Sequence, residues 1–482
     1  MVASDRRKWL ALALLSAVQF MVVLDIAIVN VALPSIKVDL GFSQENLQWV
    51  ISAYALVFGG FLLLGGRAAD LLGRRRIFLA GIIVFTLASL FAGLAWSEAS
   101  LIGARAFQGL GAAIISPAAL SILSTTFAEG RERNIALGVW GAVGGFGAAA
   151  GVLLGGILTD ALSWEWIFFV NIPVGVAAFV LAPFLLAESR DARVKRFDVP
   201  GAVLVTGGLS GLVYAITQAG QEGWLAGKTL AFFATALVML VGFVAWERRH
   251  SEPLMRFGLL RTRTVSGANV AGFIMGTAMF AMFLMLTLYM QQVLGYSAMK
   301  TGVAYLAVAG TAILWSAVAA QLVTRVCVKP VLVAGMTMLT AGLVYFTQVS
   351  VGGSYLGDLL PGFLLIGIGI GFSFVPISIA ALAGVQASEA GLASGLINTS
   401  QQVGGALGIA ALSTIATSRT DDAVAAGTAL PAALVDGFEA AFLAGVVIAA
   451  LGIIAALTLI RRDELEQVPA EVEAEPALDL AA

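Results

Sequence analysis

Residues 21–36 read MVVLDIAIVNVALPSI, an apolar run interrupted by one charged side chain, Asp25. The run belongs to a longer apolar stretch that begins near Leu10. The chain of 482 residues is 60% hydrophobic and only 12% charged, with a mean hydropathy of +0.96, whereas soluble domains are about a quarter charged. The composition predicts a multi-pass membrane protein, in which a carboxylate inside an apolar segment requires an explanation.

Fourteen apolar stretches of about 20 residues or more recur along the chain, and each can cross a hydrocarbon core of about 30 Å. They are too long for the strands of membrane barrels and do not alternate in polarity, so we expect an all-α integral membrane fold with fourteen transmembrane helices. The predicted spans are 10–34, 48–66, 77–97, 100–127, 134–159, 166–187, 199–219, 226–246, 265–291, 301–323, 330–350, 356–382, 393–415 and 437–460.

The distribution of basic residues supports this count. If the fourteen spans alternate in direction, 22 of the 27 Lys and Arg residues fall in loops on the side of the N-terminus and 4 on the other side. Basic loops face the cytoplasm, so we expect both termini there. The remaining basic residue, Arg105, lies within a predicted span, where a charge costs about 2.5 to 3.5 kcal/mol on insertion scales.

The order of spans and loops predicts four parts. An N-terminal bundle of six helices covers 1–187, two additional helices with basic flanking loops cover 188–264, and a second six-helix bundle covers 265–462. An acidic cytoplasmic tail, 463–482, is expected to be disordered. Residues 66–81 align weakly with residues 320–335 at an offset of 254, and such repeated halves are the common plan of secondary transporters.

The residue inventory argues against an enzyme. The chain has one cysteine, Cys327, and one histidine, His250, which excludes a disulfide framework, a Cys/His metal cluster and hydrolysis by an intramembrane histidine. No complete phosphate-binding loop is present either. We therefore expect no enzyme activity, no cofactor, no metal and no nucleic-acid partner.

Asp25 is the only acidic residue that we place deep in a span. Burial favours the neutral form of a carboxylic acid, while a nearby cation favours the ionised form. Asp25 is thus a candidate proton carrier, and Arg105 is the candidate cation that modulates it. The alternative is a static ion pair that only holds two helices together.

Three motifs resemble those of the major facilitator superfamily. The hairpin GRAADLLGRRR of residues 66–76 is similar to its cytoplasmic loop signature, in which we expect a gate formed by Gly66, Asp70, Gly73, Arg74 and Arg75. Residues 105–111, RAFQGLG, are similar to its fourth-helix arginine motif. A glycine series in the fifth span resembles its antiporter motif, which is associated with export: Gly138, Gly147, Gly151, Gly155 and Gly156.

Further stretches resemble the fourteen-helix drug:proton antiporter family of that superfamily. They are the opening LDIAIVNVALPSI, the segment SWEWIFFVNIPVG of residues 163–175 and the segment GLASGLINTSQQVGG of residues 391–405. The sequence departs from the family pattern at four positions: Ala27, Leu71, Val152 and Glu165. The resemblance implies proton coupling through Asp25 and Arg105 and places the protein in the plasma membrane as a monomer.

The implied function is proton-driven export of amphipathic drugs or antibiotics across the lipid bilayer by alternating access. A proton-coupled uptake symporter and a non-transporting membrane sensor remain alternatives. Polar, aromatic and methionine side chains at suitable depth are candidates for binding the small-molecule substrate: Gln19, Asn30, Gln108, Met279, Phe280, Phe283, Tyr289, Asn398 and Gln401.

Overall fold

The computed structural model describes residues 2–127, 131–189, 198–250, 253–254, 257–383, 385 and 390–461. Every regular element within these ranges is a helix, which confirms the all-α prediction. The predicted acidic tail lies outside the described residues, as does most of the loop that precedes the central pair of helices.

The first half of the chain contains eight α-helices. Two of them, α2 and α7, are single turns, and α7 is followed directly by α8. The bounds are α1 (Val2–Leu40), α2 (Gln44–Leu47), α3 (Trp49–Leu72), α4 (Arg74–Gly93), α5 (Glu98–Thr126), α6 (Arg131–Ala161), α7 (Trp166–Phe169) and α8 (Asn171–Leu185).

The central pair and the second half follow. A short 3-10 turn, Leu259–Arg261, precedes α11, and two π-helical turns, Tyr289–Val293 and Tyr355–Leu359, end α11 and begin α14. The bounds are α9 (Val199–Glu222), α10 (Gly227–Glu247), α11 (Arg263–Leu288), α12 (Ala298–Val326), α13 (Val328–Phe346), α14 (Leu360–Ala381), α15 (Ala390–Ala425) and α16 (Leu430–Leu459).

Twelve segments of the described chain are long and apolar enough to cross a membrane. The two predicted spans that are not among them, 134–159 and 393–415, lie within α6 and α15, helices of 31 and 36 residues. A multi-span helical membrane protein is therefore confirmed. The count of fourteen and the cytoplasmic position of both termini stay predictions.

The junctions at the predicted repeat share an unusual backbone conformation. Gly73, between α3 and α4, has a φ of +110°, and Cys327, between α12 and α13, has a φ of +74°. The two residues are 254 positions apart, which is the offset of the sequence alignment. A tight turn with positive φ therefore recurs at the same point of each half.

Buried apolar side chains connect the central pair to both halves. Leu209 and Val213 of α9 pack with Leu56 of α3 and with Val403 and Ala406 of α15. Polar contacts accompany this packing, because the Gln48 amide donates to the Thr217 hydroxyl at 2.9 Å. The helix α9 thus lies across the seam between the halves, a position that the sequence did not indicate.

Candidate coupling site

Asp25 and Arg105 form a buried ion pair. A guanidinium Nη1 of Arg105 lies 2.6 Å from Asp25 Oδ2, and the two side chains are 1% and 0% exposed respectively. Asp25 is in the middle of α1 and Arg105 is in the second turn of α5, a helix begun by a capping box between Ser97 and Ser100. The structure therefore brings together the two residues that the sequence selected.

The guanidinium of Arg105 is satisfied on several sides. Its Nε donates to the Val50 carbonyl oxygen at 2.9 Å, and its Nη1 also donates to Gln108 Oε1 at 2.9 Å. Its carbon lies 4.4 Å from the centre of the Tyr54 ring and 5.8 Å from that of Phe168. Such contacts compensate for removing a cation from water.

The second carboxylate oxygen of Asp25 accepts from two amides. Asn171 Nδ2 lies 2.8 Å from Asp25 Oδ1, and Gln108 Nε2 lies 3.0 Å from it. Ser89 joins the network, because its hydroxyl accepts from Gln108 Nε2 at 2.8 Å. Five helices, α1, α3, α4, α5 and α8, thus meet at one polar cluster that apolar residues surround.

Two of these residues correct or extend the sequence prediction. Gln108 was expected to bind substrate, but both ends of its amide are engaged by Asp25, Arg105 and Ser89. Asn171 was not predicted as a site residue, although it lies in the segment 163–175 that resembled the drug antiporter family. An amide carries no charge signal, so only the fold shows the contact of Asn171 with Asp25.

The contacts of the cluster depend on the charge of Asp25. Protonation of Asp25 would remove the charge that Arg105 neutralises and would turn one of two accepting oxygens into a donor. In a low-dielectric interior either state is stable only if its hydrogen bonds are complete. A proton at this position therefore demands a rearrangement of the side chains and the helices that carry them.

The predicted cytoplasmic gate forms a compact charge cluster. Arg74 Nη2, at the start of α4, lies 2.9 Å from Asp70 Oδ1, near the end of α3. The Arg75 backbone amide donates to Glu188 Oε1 at 3.1 Å, and its side chain donates to the Leu186 carbonyl oxygen at 3.1 Å. These contacts join the hairpin to the end of α8, within the N-terminal bundle.

Both glycines of that hairpin permit close approach. A Cβ on Gly73 would lie 2.7 Å from Glu188 Oε1, and one on Gly66 would lie 3.3 Å from Pro117. The Glu188 carboxylate can therefore approach the turn because Gly73 has no Cβ. Glu188 was not predicted as a site residue. It was missed because Glu188 is 113 positions from Arg75 along the chain, so only the fold brings the two together.

The glycines of the antiporter motif pack against two different helices. Three of them face α1: Gly147, Gly151 and Gly155. A Cβ on Gly151 would lie 2.7 Å from the Ala27 Cβ, whereas one on Gly156 would lie 2.6 Å from the Ala298 carbonyl oxygen of α12. Among the glycines of the motif whose surroundings are described, Gly156 thus contacts α12, and Gly138 is not among them.

The structure does not gather the remaining substrate candidates into one pocket. Tyr289 is fully buried, and its hydroxyl donates to the Ser350 carbonyl oxygen at 2.7 Å. Asn30 and Asn398 donate to carbonyl oxygens of their own helices. The other five are partly buried in α1, α11 and α15: Gln19, Met279, Phe280, Phe283 and Gln401.

A cavity of about 220 Å³ lies between the halves, at the predicted outer ends of the helices. Lys37 and Gln48 line it from the first half, and Met285, Asp421 and Phe438 line it from the second. None of the predicted substrate residues borders this cavity. Within the described chain, the apolar and polar groups that surround it are suited to an amphipathic molecule.

A helical membrane protein with a buried ion pair between its spans has the architecture of a secondary transporter. The profile of the Major Facilitator Superfamily matches residues 15–409. The chain belongs to that superfamily. This confirms the predictions of a multi-pass transporter of the plasma membrane that is not an enzyme.

Relatives of known role support this assignment. The chain is 43% identical to the puromycin resistance protein of Streptomyces alboniger over 90% of its own length and 86% of the relative. It is 41% identical to the cephamycin export protein of Amycolatopsis lactamdurans, with 85% of each chain covered. It is 35% identical to the tetracenomycin C resistance and export protein of Streptomyces glaucescens, over 86% of this chain and 77% of the relative.

Solved structures of transporters share the fold. A peptide transporter of the POT type superposes with a TM-score of 0.67 at 14% identity, covering 93% of this chain and 94% of its own. A bacterial homologue of the lysosomal transporter Spinster, in an inward-facing conformation, gives a TM-score of 0.64 at 17% identity over 94% and 98%. At these identities the likeness extends to the fold alone.

Proposed function

We propose that the protein exports amphipathic antibiotics from the cytoplasm in exchange for protons. The relatives that match most of its length are named for resistance to, or export of, puromycin, cephamycin and tetracenomycin C. The single observation that carries proton coupling is the fully buried Asp25–Arg105 pair at 2.6 Å. An isolated buried pair of this kind in a membrane marks a proton or ion pathway more often than a structural contact.

In the proposed cycle, Asp25 takes up a proton from the outer side and loses it to the cytoplasm. The protonated and ionised forms favour opposite orientations of the two six-helix bundles, 1–187 and 265–462, which rock around the central site. Proton entry then drives substrate exit. The membrane potential contributes about 2.3 kcal/mol per charge for each 100 mV, so one proton supports a steep substrate gradient.

The finer architecture belongs to the same proposal: fourteen transmembrane helices, both termini in the cytoplasm and a monomeric transporter. The hairpin of Asp70, Arg74 and Arg75 serves as the cytoplasmic gate, which opens when its contacts with Glu188 break. The outer cavity between the halves lies on the exit path of the substrate. Export rather than uptake is favoured by the glycine series along α6 and by the names of the relatives.

The test uses everted membrane vesicles that contain the protein and have an acidified lumen. Lipophilic antibiotics and dyes are added while the luminal pH is recorded, for the native chain and for Asp25→Asn. The matched control is Asp39→Asn, the same change near the end of α1, where the carboxylate accepts from the Trp164 indole at 2.9 Å.

We expect certain compounds to release protons from vesicles with the native protein and with the Asp39 variant. Asp25→Asn should abolish that release. Release that persists in Asp25→Asn would contradict coupling through Asp25. If no compound of a broad panel changes the luminal pH although folded protein is present, the export proposal fails and proton-coupled uptake by symport becomes the better reading.

A further inference from the structure

Asn171 begins α8 and points into the ion pair. Its side chain is 1% exposed, and its Nδ2 donates to Asp25 Oδ1 at 2.8 Å and to the Ser89 hydroxyl at 3.4 Å. The other end of the amide is different, because Oδ1 has no hydrogen-bond partner among the described residues. Asn171 therefore uses only its donor end.

The neighbouring amide shows why this asymmetry is informative. Gln108 uses both ends, because its Oε1 accepts from Arg105 while its Nε2 donates to Asp25 and Ser89. The orientation of Gln108 is therefore fixed by a cation on one side and by an anion on the other. The orientation of Asn171 is favoured by its donor contacts alone.

A buried acceptor without a partner costs free energy. The contact with Asp25 must offset that cost, and it does so best when Asp25 is ionised, because hydrogen bonds to charged groups are the stronger ones. Once Asp25 carries a proton on Oδ1, the amide donors of Asn171 would face a hydroxyl hydrogen. The contact then weakens, or the amide rotates to present Oδ1 instead.

We propose that Asn171 is a positioning residue for the proton step, which stabilises the ionised form of Asp25 and so sets the pH range in which the transporter releases its proton. This inference rests on the proposed function. It assigns to the α7–α8 segment a role in coupling, since Phe168 of the same segment lies against Arg105. Both members of the ion pair are thus contacted from one short stretch of chain.

The ionisable groups that face Asp25 are few. Arg105 of α5 contacts it directly, and the phenol of Tyr54 on α3 interacts with its charge. Two residues of α4 and α8, Ser89 and Asn171, contact this cluster, and both are uncharged. Removal of an Asn171 donor therefore acts on proton release chiefly through Asp25.

The experiment measures antibiotic-induced proton release from everted vesicles as a function of bath pH. The variants are Asn171→Leu, which has a similar volume but no donor, and Asn171→Ser, which keeps a hydroxyl donor. The matched control is Asn269→Leu, the same change at a buried amide of α11 that bonds its own helix and Ser400.

We expect the midpoint of the pH profile to move to higher pH by about one unit in Asn171→Leu, because a donor to the ionised carboxylate is lost. Asn171→Ser should lie closer to the native profile, and Asn269→Leu should keep the native midpoint. A reduced rate with an unchanged midpoint in both Asn171 variants would overturn the inference and leave Asn171 a packing residue.

The outcome is separable from the proposed function. If the native protein releases protons and Asp25→Asn does not, the proposed function stands whatever the Asn171 variants do. If the native protein releases none, export by proton exchange fails before the profiles of the variants are compared. Should Asn171→Leu not fold, Asn171→Ala, which also lacks a side-chain donor, replaces it, and a native midpoint in that variant would contradict the role of the amide donors.

Discussion

The Arg105 guanidinium lies 2.6 Å from the Asp25 carboxylate, and the two side chains are only 1% and 0% exposed. The attraction between the two charges therefore offsets the free-energy cost of removing each from water. The pair thus contributes to holding α1 against α5.

The first prediction concerns the stability of the pair. Arg105→Met leaves the Asp25 carboxylate buried without its cation and should lower the free energy of unfolding by about 3–5 kcal/mol. The double variant Asp25→Asn with Arg105→Met removes both charges and should be less destabilised than Arg105→Met alone. Unfolding in mixed detergent micelles measures all three.

An additive result would contradict this account. If the double variant is as unstable as the sum of the two single variants, the charges do not compensate each other. The comparison is informative because Gln108 and Asn171 remain available to hydrogen-bond an amide at position 25.

The second prediction concerns the close approach of α1 and α6. A Cβ on Gly151 would lie 2.7 Å from the Ala27 Cβ and 2.9 Å from the Leu24 carbonyl oxygen, so even Gly151→Ala should separate the helices. We expect a loss of about 1–3 kcal/mol of stability. Transport should fall as well, because Leu24 and Ala27 flank Asp25.

The matched control is Gly103→Ala in α5. A Cβ at Gly103 meets no atom within 4 Å, so the substitution adds only helix propensity. Its stability should be unchanged or higher by up to about 1 kcal/mol. Equal losses in Gly151→Ala and Gly103→Ala would show that close packing on α1 is not the reason for the glycine at position 151.

Much of this fold and part of the site could be predicted from the sequence. Apolar length and the segregation of basic residues predict the helices, because the bilayer imposes both signals on every span. Asp25 and Arg105 were recognisable because a charge inside an apolar run is costly.

The contacts that depend on three-dimensional packing were not predictable in this way. Asn171 and Ser89 carry no charge, and their role follows only from the meeting of α4 and α8 with α1. Gln108 was assigned to substrate, since an amide at that depth looks the same whether it faces a cavity or an ion pair. The bridging position of α9 was also missed, because its apolar residues could equally have faced lipid.

The third prediction concerns the backbone at Cys327. Its φ of +74° and ψ of +166° fall in a region that is essentially restricted to glycine and costs about 1–3 kcal/mol for other residues. Cys327→Gly should therefore raise the free energy of unfolding by about 1 kcal/mol. Cys327→Ala, which removes the thiol but keeps a Cβ, should give no such gain, and an equal gain would refute the backbone explanation.

At Gly73, the equivalent position of the first half, we expect a substitution to have the opposite effect on stability. Gly73 has a φ of +110°, and a Cβ there would also lie 2.7 Å from Glu188 Oε1. Gly73→Ala should be destabilising by about 1–3 kcal/mol. Unfolding in detergent micelles measures the loss, and a Gly73→Ala variant as stable as the native chain would refute this prediction.

The last prediction concerns pH and the central pair of helices. Burial alone would raise the pKa of the Asp198 carboxyl, but its interaction with the Glu247 side chain and the hydrogen bonds that the Gly201 amide and the Trp246 indole donate outweigh burial and lower that pKa. The indole Nε1 of Trp246 lies 2.7 Å from Asp198 Oδ1 and so joins the end of α10 to the start of α9. Because the folded-state pKa is lowered, the stabilisation is present above the ordinary pKa of about 4 and is lost as the pH falls through the lowered value.

Trp246→Phe should therefore cost about 1.5–3 kcal/mol of unfolding free energy at pH 7, since it removes a hydrogen bond to a charged group. The difference from the native protein should shrink as the pH falls through the lowered pKa of Asp198, below which the carboxyl is neutral in both proteins. Trp49→Phe, at a ring that packs on Tyr214, is the matched control and should show a cost that does not depend on pH. A cost of Trp246→Phe that is equal at pH 7 and pH 3 would mean that the indole stabilises the two helices by packing, and that the charge of Asp198 does not contribute to their association.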